Sequence, residues 1–146
     1  MALHSHVKIW VHFIWGTHNH ERILLSELRK QLFAHLIEQF GELNIEVEKM
    51  NIQPEHIHVL FGLPADNTIA KVSKSIKGET SRWINENGMV QGKFRWQRGY
   101  GAFSVSASQL EIVKKYIKNQ ESHHKRQTFQ EEYDEWVRQY GIFDDR

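Results

Sequence analysis

From His6 to Trp15 apolar and polar side chains alternate: Val7, Ile9, Val11, Phe13 and Trp15 share one face, Lys8, Trp10, His12 and Ile14 the other. Period-two alternation predicts a strand, and this one is apolar enough for a central position covered on both sides. Gly16 to Leu25 reads as a polar loop. A period near four then takes over at Leu28, Leu32, Leu36 and Phe40, with Phe33 and Ile37 beside them. It predicts a helix capped by Ser26 and stopped by Gly41. Asn44 to Ile52 predicts a second strand nearer an edge, and Pro54 marks the turn of a hairpin into a third strand at His56-Ile57-His58-Val59-Leu60-Phe61. Asp66-Asn67-Thr68 caps a second helix striped by Ile69, Val72, Ile76, Trp83 and Ile84 and stopped by Gly88. Inside it, Gly78 costs about 1 kcal/mol relative to Ala, which predicts a close approach there. Ala102 to Ser106 forms a fourth strand. A third helix follows, with Leu110, Val113 and Ile117 facing the core and a capping box made by Ser106 with Gln109 or Ser108 with Glu111. Thr128 and Glu131 cap a last helix striped by Phe129, Tyr133, Trp136, Val137 and Tyr140 and ending at Gly141.

The element order is β-α-β-β-α-β followed by two helices. It predicts an α+β fold of the ferredoxin-like, split βαβ kind: one antiparallel sheet with two helices on one face. The first and third strands are then neighbours at the sheet centre. The 146 residues suit a single domain over 1–146, and 40% hydrophobic residues with five Trp argue for a real core. The absence of cysteine fits a reducing cytoplasm, and no window approaches the ~20 apolar residues of a membrane span. No signal peptide is apparent at the N-terminus.

The net charge of +1 conceals an asymmetry. Lys71, Lys74, Lys77, Arg82, Lys93, Arg95 and Arg98 face only Glu79 and Glu86, whereas the chain after Gln120 is mainly acidic. A basic middle suits a polyanion on one surface, although two ordinary solvated faces are the commoner explanation of such charge. Lys93-Phe94-Arg95-Trp96-Gln97-Arg98-Gly99-Tyr100-Gly101 combines cations with aromatics, a composition for unpaired nucleic acid. Taken alone, Phe94 and Trp96 read better as core residues under a loop.

The chemistry-bearing motif is His56-Ile57-His58. On a strand, residues two apart project from one face, so the two imidazoles stand side by side. Neutral imidazoles are common ligands of divalent metals, and two hydrogen-bonded core histidines are the alternative. His12 would join them as a metal or phosphate contact if its face met theirs; a packed polar side chain is the preferred reading. On the third helix Tyr116 and Gln120 lie one turn apart. The histidines and the Gln120 carbonyl oxygen would hold a cation that polarises a phosphodiester. Tyr116 would attack phosphorus and store the bond as a phosphotyrosine. A phenol of ordinary pKa near 10 needs help at neutral pH, from the cation or from Lys115 or Lys118.

These blocks resemble the HUH-type, one-tyrosine transposases of the smallest bacterial insertion sequences. The likeness runs through Trp10-Val11-His12-Phe13-Ile14-Trp15-Gly16-Thr17, His56-Ile57-His58-Val59-Leu60, Phe94-Arg95-Trp96-Gln97 with Gly99 to Ser106, Tyr116-Ile117-Lys118-Asn119-Gln120, and Thr128 to Tyr133. The resemblance implies an RNA-recognition-like sheet and a homodimer, with a tyrosine helix able to complete the partner's site. It implies binding of hairpins at element ends and Mg²⁺- or Mn²⁺-dependent cutting of single-stranded DNA. The tyrosine keeps a 5′-phosphate and frees a 3′-hydroxyl. By position, His56, His58 and Gln120 become metal ligands and Tyr116 the nucleophile. Hairpin contacts do not transfer residue by residue; Lys71, Lys74, Lys77, Arg82, Arg95 and Arg98 are candidates from charge. His123 and His124 are taken as loop residues. Two other readings stay open: a non-catalytic or domesticated hairpin-binding protein, and a metal-independent phosphodiesterase using the histidines as acid and base.

Overall fold

The computed structural model describes residues 5–120 together with Thr128, Glu131, Asp134, Glu135 and Arg138. The alternating segment forms β1 (Trp10–Gly16), and the histidine segment forms β3 (His56–Gly62). With β2 (Val47–Ile52) and β4 (Gly101–Val105) they build an antiparallel sheet in the order β2-β3-β1-β4. β1 starts later than the alternation predicts. Trp10 pairs with Gly62 on one side and Val105 on the other, the last residues of both neighbouring strands. Before it, among the described residues, a single backbone bond from the Leu63 N–H to the Ile9 carbonyl remains, and Ile9 is 48% exposed. β2 lies at an edge and is irregular between Val47 and Lys49, in keeping with its poor alternation.

Helices α1 (Ser26–Glu42) and α2 (Ile69–Glu86) cover one face of the sheet. The buried residues of α1 are the predicted Leu28, Leu32, Leu36 and Phe40, packed with Val11, Phe13, Trp15, Ile57, Val59 and Phe61 from the sheet. Phe33 and Ile37 instead remain exposed. The ends of α1 differ from expectation. Leu25 is its N-cap, Ser26 is the first helical residue and makes no side-chain cap. The helix runs through Gly41 because the left-handed turn falls on Asn44 (φ 59°). There the Asn44 N–H donates to the Gly41 carbonyl and the Ile45 N–H to that of Phe40, satisfying the last turn.

α2 begins as predicted, with Thr68 Oγ1 accepting from the Lys71 N–H at 3.2 Å. Gly88 (φ 55°) ends it, the Met89 N–H reaching back to the Ile84 carbonyl. Ser73 and Thr80 replace Ile69 and Trp83 in its buried stripe; Trp83 stacks on His35 at 3.9 Å between the two helices. Nothing within 4 Å would meet a Cβ on Gly78, so the close approach inferred for it does not occur among the described residues. Gly78→Ala is therefore expected to raise stability by up to about 1 kcal/mol in denaturant titration, and a loss would show that this face is contacted.

A single turn of 3-10 helix at Ala107–Gln109 leads into α3 (Leu110–Lys118). Because the chain turns there first, neither predicted capping box forms, and Ser106 Oγ meets Ser108 Oγ instead. α3 crosses the face that α1 and α2 leave open, where Val113 and Ile117 pack on Leu60 and Val105. The predicted Thr128–Glu131 capping box is present: each backbone N–H donates to the other's side chain, at 2.9 and 3.1 Å. The Thr128 N–H holds the Glu131 carboxyl below the usual carboxylate range. The aromatic stripe of the last helix and His123 and His124 lie outside the described residues. Among the described residues, no helix is long and apolar enough to cross a membrane.

Candidate active site

Antiparallel register decides which side chains meet beneath α3. β1 and β3 pair Ile14 with His58 and His12 with Leu60, so His12 and His58 are diagonal neighbours on one face. His12 Nε2 lies 2.8 Å from His58 Nδ1, both rings fully buried. His12 is thus the packed polar residue expected, and the partner it packs with is one of the paired histidines. The His56 and His58 rings are 4.9 Å apart, side by side as strand geometry requires.

Glu55 was not singled out by any pattern, because it sits in the turn before β3 where alternation constrains nothing. Its carboxylate is buried and accepts a hydrogen bond from His56 Nδ1 at 2.8 Å and from the Arg22 guanidinium. The turn is held by backbone bonds from Thr17 and Leu24 to the Glu55 and Pro54 carbonyls. An ionised carboxylate only accepts, so His56 carries a proton on Nδ1, which leaves Nε2 on the far side of the ring from Glu55.

Gln120 lies just beyond α3, fully buried, with Oε1 3.3 Å from His56 Nε2. Its Nε2 donates to the Tyr116 carbonyl at 3.4 Å, which orients the amide with oxygen toward the histidine. With His56 neutral, its Nε2 lone pair and the Gln120 oxygen face one another at a separation suited to a shared cation. Ligands about 2.1 Å from a shared metal and at right angles to each other stand about 3 Å apart, so the residues fit a divalent ion. Among the described residues no three His, Asp or Glu side chains are grouped to hold one, so the amide oxygen is needed as the third protein donor. The Tyr116 ring, half-buried on α3, meets His58 and His12 edge-on at 5.9 and 6.3 Å between centroids. All four residues that the sequence singled out for catalysis come together in one chain.

The six basic candidates are more scattered. Lys71, Lys74 and Arg82 lie exposed on α2, on the other side of the sheet, and Arg82 is 3.8 Å from Glu86. The Lys77 ammonium, held below the usual lysine range by burial, donates to the Gln97 and Gly99 carbonyls at 2.9 and 2.8 Å. It secures the loop that carries Arg95 and Arg98. In that loop Phe94 and Trp96 are buried, and Trp96 Nε1 donates to Thr80. The Gln97 N–H donates to Gly16 O, and Gly16 pairs with His56, so the loop lies at the sheet end where the histidine pair begins.

Comparison with known proteins finds relatives of this chain. The chain is 25% identical over 114 residues to the ISDra2 transposase TnpA of Deinococcus radiodurans, covering 75% of this chain and 81% of that one. A crystal structure of a candidate transposase from D. radiodurans R1 superposes with a TM-score of 0.65 at 22% identity, over 82% of this chain and 96% of that one. A tyrosine transposase associated with REP sequences, solved bound to a REP hairpin, gives 0.64 at 18% identity, over 85% and 74%. Both share the four-stranded α+β fold. The sequence pattern of the family described as IS200-like transposases matches residues 5–120, and the chain belongs to that family.

Proposed function

We propose that this chain cuts and rejoins single-stranded DNA at hairpin-bearing ends through a covalent bond to Tyr116. The observation that carries the reading is the convergence of His56, His58 and Gln120 with Tyr116 beneath α3. A Mg²⁺ or Mn²⁺ ion held by His56 Nε2, His58 and Gln120 Oε1 would draw charge from a phosphodiester oxygen. The Tyr116 oxygen attacks phosphorus and its proton passes to water. The P–O3′ bond breaks, the 3′-oxygen leaves as a hydroxyl on taking a proton, and the 5′-phosphoryl group stays on Tyr116. Attack by another 3′-hydroxyl reverses these steps, so rejoining needs no outside energy source. Glu55 and His12 keep the two imidazoles aimed, and α3 shields the reacting groups from water.

Family membership supports DNA as substrate, and the hairpin bound to the REP-associated relative supports a hairpin partner. The four residues lie within one chain, so a homodimer would carry two such sites. General acid–base hydrolysis wants imidazoles on opposite sides of the phosphate, whereas these share a strand face.

Incubation with hairpin-bearing single-stranded DNA and Mn²⁺ is expected to yield a protein–DNA adduct that survives denaturing electrophoresis and disappears with chelator. Product strands without any adduct would overturn the reading.

A further inference from the structure

A second surface adjoins this site; of its cations the sequence marked only Lys118, as a neighbour of Tyr116, and none as a nucleic-acid contact. Between α1 and the β2–β3 turn runs a groove of about 730 Å³. Arg22, Arg29, Lys30 and Lys118 line it, and no Asp or Glu is among its lining residues. These cations come from separate parts of the chain, a loop, α1 and the end of α3, so no charge run announces them. Arg29 donates to the Leu24 carbonyl at 2.6 Å, which leaves its charge uncompensated by that bond. Phe33 stands on the wall 43% exposed, an aromatic ring on a helix face that the core does not use.

We infer that this groove carries the single strand running from the scissile phosphate. Its continuity with the catalytic centre argues for that occupant: Arg22 at its rim bonds to Glu55, which bonds to His56, and Lys118 lies on α3 between Tyr116 and Gln120. Arg22 is paired with Glu55, but Arg29, Lys30 and Lys118 line a wall without Asp or Glu, which suits a run of phosphates. An exposed ring serves an unpaired base, because bases in a duplex already stack on one another. The inference rests on reading the Tyr116 centre as the place where the strand is cut.

The test uses the full chain, a labelled single-stranded oligonucleotide of mixed sequence without hairpins, and its duplex. Affinities are read by fluorescence anisotropy over a range of salt. Lys30→Ala/Lys118→Ala is expected to weaken single-strand binding about tenfold and to reduce the slope of log affinity against log salt by about 1.4. Phe33→Ala is expected to weaken single-strand binding with the slope unchanged. Both leave duplex binding as in wild type. Melting curves check that these variants of exposed residues fold. An unchanged slope in the double variant, or equal losses on duplex, overturns the inference. So does a Phe33→Ala protein that changes its mass in solution but not its single-strand affinity, which would make the groove wall a face for a second copy. The adduct assay separates the two readings. If wild type forms the adduct while the groove variants bind normally, the groove alone fails. If wild type forms none while the variants lose single-strand binding, the strand-cutting reading fails and the groove remains a single-strand surface.

Discussion

Tyr116→Phe is expected to abolish the covalent protein–DNA adduct and to slow strand cleavage by on the order of 10³-fold or more. The substitution removes one oxygen and keeps the ring that meets His58 and His12 and packs beside Leu60 and Val113. Folding, Mn²⁺ affinity and hairpin affinity should therefore match wild type. That separation makes the result diagnostic, because a merely structural tyrosine would show its loss in the melting temperature. Denaturing gels with end-labelled DNA read the adduct and the cleaved strand together. An adduct that persists in the Phe variant would assign the nucleophile elsewhere.

The second large effect concerns the groups behind the imidazoles proposed to hold the metal. Glu55→Ala removes the acceptor of the His56 Nδ1 proton, and His12→Phe removes the nitrogen that meets His58 Nδ1 while retaining a ring. Each is expected to weaken Mn²⁺ binding by about 10- to 100-fold, the usual cost of losing a partner that orients a ligating histidine. Calorimetry or electron paramagnetic resonance of Mn²⁺ in the absence of DNA measures this without reference to activity. Glu55→Gln should fall between, since its amide oxygen still accepts from Nδ1 while the charge shared with Arg22 is gone. Mn²⁺ affinity equal to wild type in both Glu55→Ala and His12→Phe would mean that neither aims a ligand.

The local pattern of this chain determined much of the frame. The alternation assigned Phe13 and Trp15 to one face of β1 and His12 to its other, and Ile57, Val59 and Phe61 to one face of β3 and His56 and His58 to its other, because strand side chains must alternate. The spacing of Leu28, Leu32, Leu36 and Phe40 likewise named the buried face of α1. Those choices are made by geometry within a few residues, and the residues themselves suffice. Element ends were read less well: Asn44 took the left-handed turn expected near Gly41, and the turn at Ala107–Gln109 displaced both capping boxes.

Tertiary structure alone decided how distant groups meet. The His12–His58 contact depends on a register that pairs Ile14 with His58, which neither strand encodes alone. Glu55 stands in a turn, where period and propensity say nothing of direction, and only the packing of the 17–25 loop brings Arg22 to it. The groove cations are separated along the chain and gathered only when α1, the loop and α3 converge. Faces follow from covalent geometry repeated along a strand or helix, whereas contacts between elements follow from how their surfaces fit, and one chain segment read alone carries no record of its neighbours.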